Sequence, residues 1–299
     1  MSESKSRDFG EYGNIEWKQV VKMSKNELTF QRKEKKYLIL EHSFDAIKDE
    51  LEKHIPLYIF KGENAVSGIE TTYLDTKDFM LFYEYLNRRK FRFKIRMRRY
   101  ITEGNVGDVY LVELKIKHKS ISSKRRFVLP ADLMEQFLAG KDIRKEIKEA
   151  NQGLVGAQKT YKLISNLIKL NGFVPVMRSS YQRLAFQKKT KKVRVTVDHN
   201  IRHEKLLGAE KIGTLDAVIL ESKIIGKSPK WYKKMVNQLS LLKQPRFSKF
   251  ATGLNSLYFP QRGKYNFYCS DEEIRETPQQ VRDSFELIKK AFKLEDSEF

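Results

Sequence analysis

Four cationic residues alternate with apolar ones in one short stretch of this chain. Residues 91–98 read Phe-Arg-Phe-Lys-Ile-Arg-Met-Arg, so that Arg92, Lys94, Arg96 and Arg98 recur at every second position. Successive side chains of a β-strand point to opposite faces, so this spacing predicts a strand with one cationic and one apolar face. Because like charges in a row repel, a solvated strand face normally mixes signs. Whether the stretch belongs to an anion-binding surface depends on other strands directing cations to the same place.

The composition narrows the kinds of partner. The chain has 299 residues, with 59 Lys and Arg against 38 Asp and Glu and a formal net charge of +21. Such a balance predicts a polyanionic partner: nucleic acid, a phosphorylated small molecule, polyphosphate or an anionic membrane. Nucleic acid is not expected, because the sequence has no helix-turn-helix or zinc motif and its charge follows strand faces instead of one basic helix.

Cysteine and histidine usage excludes other chemistries. Cys269 is the single cysteine, which rules out a disulfide within the chain and a Cys-based metal site. The five histidines include no H-E-x-x-H motif, which disfavours a zinc enzyme. The N-terminal residues 1–13 lack the apolar core of a signal peptide, and no window approaches eighteen uninterrupted apolar residues. We therefore predict a soluble, cytoplasmic protein without a transmembrane segment, while a membrane partner and the oligomeric state stay open.

Alternation of the same kind recurs along the chain. Three segments carry Glu-x-Lys, which places each Glu and Lys side by side on one strand face: Glu34/Lys36, Glu113/Lys115 and Glu221/Lys223. Predicted strands cover 30–40, 69–75, 109–117, 124–130, 174–186, 191–198 and 217–225. Predicted helices cover 43–54, 131–139, 158–170, 228–242, 247–257 and a stretch from 277. We predict an N-terminal arm or helix (1–28), one main domain (29–260) and a C-terminal extension (261–299) whose amphipathic helix packs on that domain.

Two arrangements could explain these charged faces. In a sandwich they would be solvated surface, whereas in a closed barrel they would line an interior large enough for a ligand. The dominance of Arg and Lys across at least six strands favours the second arrangement. Buried cations would then need a polyanion to neutralise them. The Glu residues could bind Mg²⁺ or Mn²⁺, which in turn would bridge phosphate oxygens.

A series of short motifs resembles one known family. The motifs occur in order as Arg32-x-Glu34-x-Lys36-Tyr37, Lys94-x-Arg96-x-Arg98, Glu113-x-Lys115, Lys124-Arg125-Arg126, Tyr181-x-Arg183, Arg194-x-Thr196-x-Asp198, Glu221-x-Lys223 and Ser248-Lys249-Phe250. From about Phe30 to Tyr258 the chain resembles the VTC-type polyphosphate polymerase domain, a branch of the triphosphate tunnel metalloenzymes. The resemblance implies an α+β fold with a closed antiparallel eight-stranded barrel and helices packed outside.

The resemblance also implies an activity and a site. The activity would be transfer of the ATP γ-phosphoryl group to a growing polyphosphate chain, with Mn²⁺ or Mg²⁺ bound by Glu221 and Glu34. The implied catalytic residues are Lys36, Arg96, Arg98, Lys115, Arg183, Arg194 and Glu221. The implied substrate-binding residues are Arg32, Lys94, Glu113, Lys117, Lys124, Arg126, Tyr181, Asp198, Lys223, Ser248 and Lys249.

One departure and two alternatives accompany this expectation. Tunnel hydrolases that open with Glu-x-Glu-x-Lys have a carboxylate where this chain has Arg32, which favours the polymerase branch. The alternatives are hydrolysis of tripolyphosphate or a nucleoside triphosphate, and a non-catalytic module that senses polyphosphate or inositol phosphates. For the polymerase, the expected partners are ATP, polyphosphate, diphosphate and orthophosphate. The attacking phosphate is already an oxyanion, so that positioning and charge stabilisation would suffice without a general base.

Overall fold

The structure is a computed structural model and describes residues 32–59, 65–102, 105–118, 121–188, 190, 192–239, 241, 243, 247–270 and 276–294. The predicted N-terminal arm, 1–28, lies outside the described residues. Of Arg32, the description covers the backbone and not the side chain. In the described part of the chain, no helix is both long enough and apolar enough to cross a membrane.

In the part of the chain that the structure describes, ten strands account for the alternating segments. Their bounds are β1 (Arg32–Leu40), β2 (Val66–Asp75), β3 (Phe91–Thr102), β4 (Asn105–Val106), β5 (Val109–His118), β6 (Ile121–Pro130), β7 (Val174–Gln187), β8 (Val193–Lys205), β9 (Ile212–Leu215) and β10 (Ala217–Ile225). Each of the seven predicted strands is found, as is the strand predicted from residues 91–98. The two short strands β4 and β9 have no counterpart in the sequence-based prediction.

All strand pairs are antiparallel and form one sheet in the order β1-β10-β8-β7-β2-β3-β5-β6, with β4 added to β3 and β9 to β8. The antiparallel α+β prediction is confirmed. The predicted closure into a barrel is not supported, because no ladder joins the end strands β1 and β6 within the described residues. Eight strands do form the main path, but their hydrogen bonds leave both ends of the sheet open.

The open sheet is nevertheless strongly curved. Lys36 on β1 donates a hydrogen bond to the Phe247 carbonyl (3.4 Å), and Lys94 on β3 donates to Ser248 Oγ (2.9 Å). In a flat sheet β1 and β3 would lie about 24 Å apart, at ~4.8 Å per strand. Two neighbouring residues can bridge them only because the sheet curls, so that its two halves face each other across a concave side.

Within the described residues, eight α-helices surround the sheet: α1 (Phe44–Glu52), α2 (Met80–Leu86), α3 (Met134–Leu138), α4 (Arg144–Ala150), α5 (Ala157–Asn171), α6 (Lys230–Gln238), α7 (Lys249–Tyr258) and α8 (Gln279–Phe292). The prediction missed α2 and α4. It also placed the end of α6 too late, and Ser43, although it precedes α1, makes no capping hydrogen bond through its side chain. The helix α8 packs its apolar stripe against the sheet, with Phe285 against Phe91 on β3.

Apolar clusters on the convex side hold the charged side chains in place. One joins the outer faces of β3, β5 and β6 to α3, α4, α5 and α8, and another joins β1, β8 and β10 to α1 and α6. A third cluster lies at one end on the concave side, where α2 and α7 pack with β2 and β7 through Phe82, Phe250 and Tyr73, the register partner of Arg96. Burying the apolar side of each strand leaves its cationic side facing the concavity.

Gly253 lets α7 approach the sheet closely. A Cβ at this position would lie 2.2 Å from Met177 Sδ and 2.9 Å from His203 Nδ1, and both of those side chains are buried. Because a methyl group there forces neighbours apart, we expect Gly253→Ala to destabilise the fold by about 1–3 kcal/mol. Urea unfolding measures this change, and Ser256→Ala on the same helix, which adds no volume, is the control. Equal stability of the two variants would contradict the close packing of α7.

Candidate functional site

The strand register places the predicted site residues on one face of the sheet. Lys36 pairs with Glu221, Lys223 with Arg194, and Arg96 with Glu113, while neighbouring ladders continue the same face. We call this concave face the cationic trough. Its strand-borne members are Glu34, Lys36, Lys94, Arg96, Arg98, Glu113, Lys115, Lys117, Lys124, Arg126, Arg183, Arg194, Asp198, Glu221 and Lys223. Eleven of these are cationic and four acidic, so the trough carries a large excess of positive charge.

Asp198 organises one end of the trough. It is fully buried and accepts hydrogen bonds from Arg183 Nε (2.5 Å) and Nη2 (2.8 Å) and from Lys249 Nζ (2.5 Å). Burial opposes its charge, but the two cations outweigh burial and lower the pKa of Asp198 to about 2. The Tyr181 ring lies beneath both cations, 5.4 Å from Arg183 Cζ and 4.4 Å from Lys249 Nζ. A carboxylate so paired orients cations and is poorly suited to bind an anionic substrate directly.

A second ion pair crosses β3 and β5. Arg96 Nε lies 2.9 Å from Glu113 Oε2, and the Glu113 side chain is only 4% exposed. Burial disfavours the Glu113 carboxylate, but Arg96 and Arg98 outweigh burial and lower its pKa. On the other side, Arg98 Nε donates to Thr71 Oγ1 (3.3 Å) on β2. These contacts fix both guanidinium groups while leaving further N–H donors for a ligand.

Glu221 and Glu34 flank one ammonium group. Glu221 Oε1 is 2.8 Å from Lys223 Nζ, whereas Lys36 Nζ is 3.9 Å from Glu221 Oε2 and 3.4 Å from Glu34 Oε1. Burial would raise the pKa of Glu221, but Lys223 and Lys36 hold it well below its usual value. Burial conversely opposes the charge on Lys36, and Glu221 and Glu34 outweigh that effect and raise its pKa.

Glu221 and Glu34 are the predicted metal ligands. The described residues contain no group of three His, Cys, Asp or Glu side chains placed to hold a metal ion. Mg²⁺, however, is commonly bound through one or two carboxylates plus substrate phosphates and water. Glu221 and Glu34 could supply such oxygens, although Glu221 is paired with Lys223, just as Glu113 and Asp198 are each engaged by Arg or Lys. Metal binding by Glu221 and Glu34 stays a prediction.

Lys94 and Lys115 form no ion pair within the described part of the chain, although the charges of Glu34 and Glu221 act on Lys115 from a greater distance. Lys94 Nζ donates to Ser248 Oγ and lies over the rings of Tyr85 (4.3 Å) and Phe250 (4.6 Å). Burial, followed by the charges of Lys115 and Lys36, lowers the pKa of Lys94 well below its usual value. Burial and the nearby Lys36 similarly lower the pKa of Lys115 to about 8. An anion bound between Lys36, Lys94 and Lys115 would relieve the repulsion among their three ammonium groups.

Several placements refine the sequence-based site. Lys124 and Arg126 share the trough face, but Arg125 between them points outward, where it donates to the Ala291 carbonyl and covers the Phe292 ring. Sequence reasoning missed Thr71, Tyr85 and Phe250 as trough contacts. Period-two alternation along β2 could have indicated Thr71, whereas nothing in the sequence places Tyr85 beside Lys94.

The chain is similar in sequence to one protein family and to several known proteins. A family model described as the VTC domain matches residues 31–258. Vacuolar transporter chaperone complex subunit 4 is 24% identical over 275 residues in Schizosaccharomyces pombe, covering 77% of this chain and 38% of that protein. The Trypanosoma brucei subunit 4 is 23% identical over 274 residues, covering 77% and 35%. S. pombe subunit 2 is 24% identical over 178 residues, covering 54% and 24%. The chain thus spans less than two fifths of the length of these relatives.

Proposed function

The chain belongs to the VTC domain family, and from this premise we propose that it is a polyphosphate polymerase that transfers the ATP γ-phosphoryl group to a polyphosphate chain. The proposal rests mainly on the excess of cations in the trough, above all Lys94 and Lys115, which form no ion pair among the described residues and whose pKa values are lowered chiefly by burial. Such a row of buried cations suits a linear chain of phosphates better than a single compact anion. The similarity to subunits of a vacuolar transporter chaperone complex further supports assembly with partner subunits, and we propose the cytoplasm as the location.

Each part of the proposed reaction has candidate residues. Arg96, Arg98 and Arg183 present planar N–H donors, which suit the equatorial oxygens of a transferring phosphoryl group. Lys36, Lys94 and Lys115 would hold the flanking phosphates and stabilise the charge that develops on the diphosphate group of the departing ADP. The terminal phosphate of the acceptor is itself an oxyanion, so the reaction needs no proton acceptor in the trough. Positioning and charge stabilisation would then provide most of the rate enhancement.

A divalent cation, Mg²⁺ or Mn²⁺, would be held by Glu221 and Glu34 together with phosphate oxygens, and it would neutralise charge on the nucleotide. Lys36 lies between these two carboxylates and can keep the pair compact when no metal is bound. Lys223 orients the Glu221 carboxylate from the opposite side. In this proposal Lys36 serves both the carboxylate pair and the phosphates.

Incubation with ATP and Mn²⁺ or Mg²⁺ tests the activity. We expect long-chain polyphosphate that appears only with metal and is degraded by an exopolyphosphatase. Free orthophosphate without polymer would indicate hydrolysis instead, and neither product from a protein that binds tripolyphosphate would indicate a sensor. The sensor is the second candidate because Glu113, Asp198 and Glu221 are already neutralised by protein cations, as an anion-binding module without metal requires.

Anion binding should be coupled to proton uptake. A bound polyanion raises the pKa of neighbouring ammonium groups, and Lys115 starts from a pKa of about 8, so that at pH 8 it should gain about half a proton when tripolyphosphate binds. Calorimetry in buffers of different ionisation enthalpy measures this uptake. The uptake measured with Lys115→Gln is subtracted from that of the unmodified protein, which removes the contribution from protonation of the ligand itself. The matched control is Lys145→Gln, at an exposed position. Uptake unchanged in Lys115→Gln would contradict contact between Lys115 and the bound anion.

A further inference from the structure

Six exposed lysines lie beyond one end of the cationic trough. They come from the turn between β7 and β8 and from the turn and helix after β10: Lys188, Lys192, Lys227, Lys230, Lys233 and Lys234. We call this set the lysine patch. None of the six side chains forms an ion pair within the described part of the chain. The sequence has no Asp or Glu from 226 to 243, so the lysines of this segment have no acidic neighbour along the chain.

The patch is continuous with the trough. The Ile225 N–H donates to the Lys192 carbonyl (2.9 Å), so the two turns that carry the patch are adjacent. Inside the trough, Arg194 and Lys223 are register partners on β8 and β10, each within four residues of a patch lysine. After β10 the chain reverses at Gly226, whose φ of +78° favours glycine, and α6 follows. The two adjacent turns therefore connect the cationic strands of the trough directly to the outer surface that carries the patch.

The charge on α6 is unfavourable for the helix itself. Tyr232 and Met235 are buried against the sheet, whereas Lys230, Lys233 and Lys234 are exposed. These cations stand in the first half of the helix, where its dipole favours negative charge, and Lys230 and Lys234 repel each other at i,i+4. An external anion would relieve both effects.

We propose that the lysine patch binds the part of a polyphosphate chain that extends beyond the trough. This inference rests on the proposed function and adds a second contact region for the same polymer. The trough segment from Arg194 to Asp198 is about 13 Å long, at ~3.3 Å per residue, so a long polymer must continue outside it. An anionic membrane or a nucleic acid would also meet positive charge, but neither would account for continuity with the buried end of the trough.

Affinity as a function of chain length tests the proposal. The patch variant combines Lys227→Gln, Lys230→Gln, Lys233→Gln and Lys234→Gln. The control variant makes the same change of charge at exposed lysines on the α3–α5 side: Lys141→Gln, Lys145→Gln, Lys148→Gln and Lys159→Gln. Binding of tripolyphosphate and of polyphosphate about 100 units long is measured for both variants and the unmodified protein over a range of salt concentrations. Circular dichroism and thermal unfolding establish that the variants are folded.

We expect the patch variant to bind tripolyphosphate within twofold of the unmodified protein and to bind long polyphosphate about tenfold more weakly. For the patch variant, the slope of log Kd for long polyphosphate against log salt concentration should be smaller by about 2 to 3. The slope for the control variant should change little. Equal weakening in both variants, or undiminished affinity of the patch variant for the long chain, would overturn the proposal. The proposal would also be overturned if the patch variant lost binding to phosphatidylserine vesicles or to single-stranded RNA but still bound long polyphosphate. Failure of the unmodified protein to bind either polyphosphate would instead reject the proposed function.

Discussion

Asp198→Ala should lower the free energy of unfolding by about 3–5 kcal/mol, the range for removing one partner of a buried ion pair. Asp198 is fully buried and holds both Arg183 on β7 and Lys249 at the start of α7. Without the carboxylate, two cations would remain close together in the trough with only water or Tyr181 to compensate them. Chemical denaturation monitored by tryptophan fluorescence and by far-UV circular dichroism measures the change.

Asp198→Asn separates charge from shape, because it keeps the side-chain volume and part of the hydrogen bonding. We expect it to be destabilised as well, although by less than Asp198→Ala. Glu204→Gln is the matched control, since Glu204 pairs with Arg178 (2.9 Å) but its side chain is 43% exposed. An exposed pair contributes about 0–1 kcal/mol, so the control should be nearly as stable as the unmodified protein. Stability of Asp198→Ala equal to that of this control would contradict the proposed role of Asp198.

The same contact predicts a response to acid. Because the folded-state pKa of Asp198 is about 2, below the unfolded value near 3.8, its contribution is present above about pH 4 and is lost as the pH falls toward 2. In Asp198→Asn this contribution is absent at every pH. The stability difference between the unmodified protein and the asparagine variant should therefore shrink as the pH is lowered through this window. A difference independent of pH would indicate that lost packing, and not lost charge, destabilises the variant.

Glu221→Gln should lower the rate of polyphosphate synthesis by about 100-fold or more, the scale expected when a group that stabilises transition-state charge is lost. Glutamine keeps the side-chain size and one oxygen but is a much poorer ligand for Mg²⁺ or Mn²⁺. Removing the negative charge also leaves Lys223 and Lys36 less neutralised. Binding of tripolyphosphate without metal should consequently be retained or strengthened.

Two measurements distinguish the possible roles of Glu221. Steady-state synthesis is measured with ATP across a range of Mn²⁺ concentrations, and tripolyphosphate binding is measured without metal by calorimetry. Glu204→Gln, outside the trough, is again the control and should match the unmodified protein in both. If Glu221→Gln retained full synthesis, Glu221 would not hold the metal. Loss of both synthesis and metal-free binding would instead indicate that Glu221 maintains the structure of the trough.

Most of the fold prediction came from the local alternation of apolar and polar residues. Period-two patterns located eight strands because burying one side of a strand requires apolar residues at every second position. The helix α2 escaped prediction for a related reason. Its sequence, Met-Leu-Phe-Tyr-Glu-Tyr-Leu, is apolar nearly all round and gives no amphipathic stripe, and its first turn is capped from outside by the buried Asp75 carboxylate, which accepts from the backbone N–H groups of Leu81 and Phe82.

Sheet closure could not be read from alternation. An inward cationic face is common to a closed barrel and to a curled open sheet, and the two differ only in whether β1 and β6 share a ladder. Strand pairing depends on long-range geometry that no short pattern encodes. In the described residues the two halves are instead connected across the concavity through Phe247 and Ser248, which accept from Lys36 and Lys94.

By itself, the sequence determined which residues share a strand face, since that follows from the pleat of the strand and the need to bury apolar groups. Only the tertiary structure decided which of those charges neutralise one another. Asp198 receives Arg183 and Lys249 from two distant segments, and Glu113 receives Arg96, whereas Lys94 and Lys115 form no ion pair in the part of the chain described. Coulomb energies decrease with the distance between charges, and the curvature of the sheet determines those distances. The cations most available to a polyanion were therefore not identifiable until the sheet had curled.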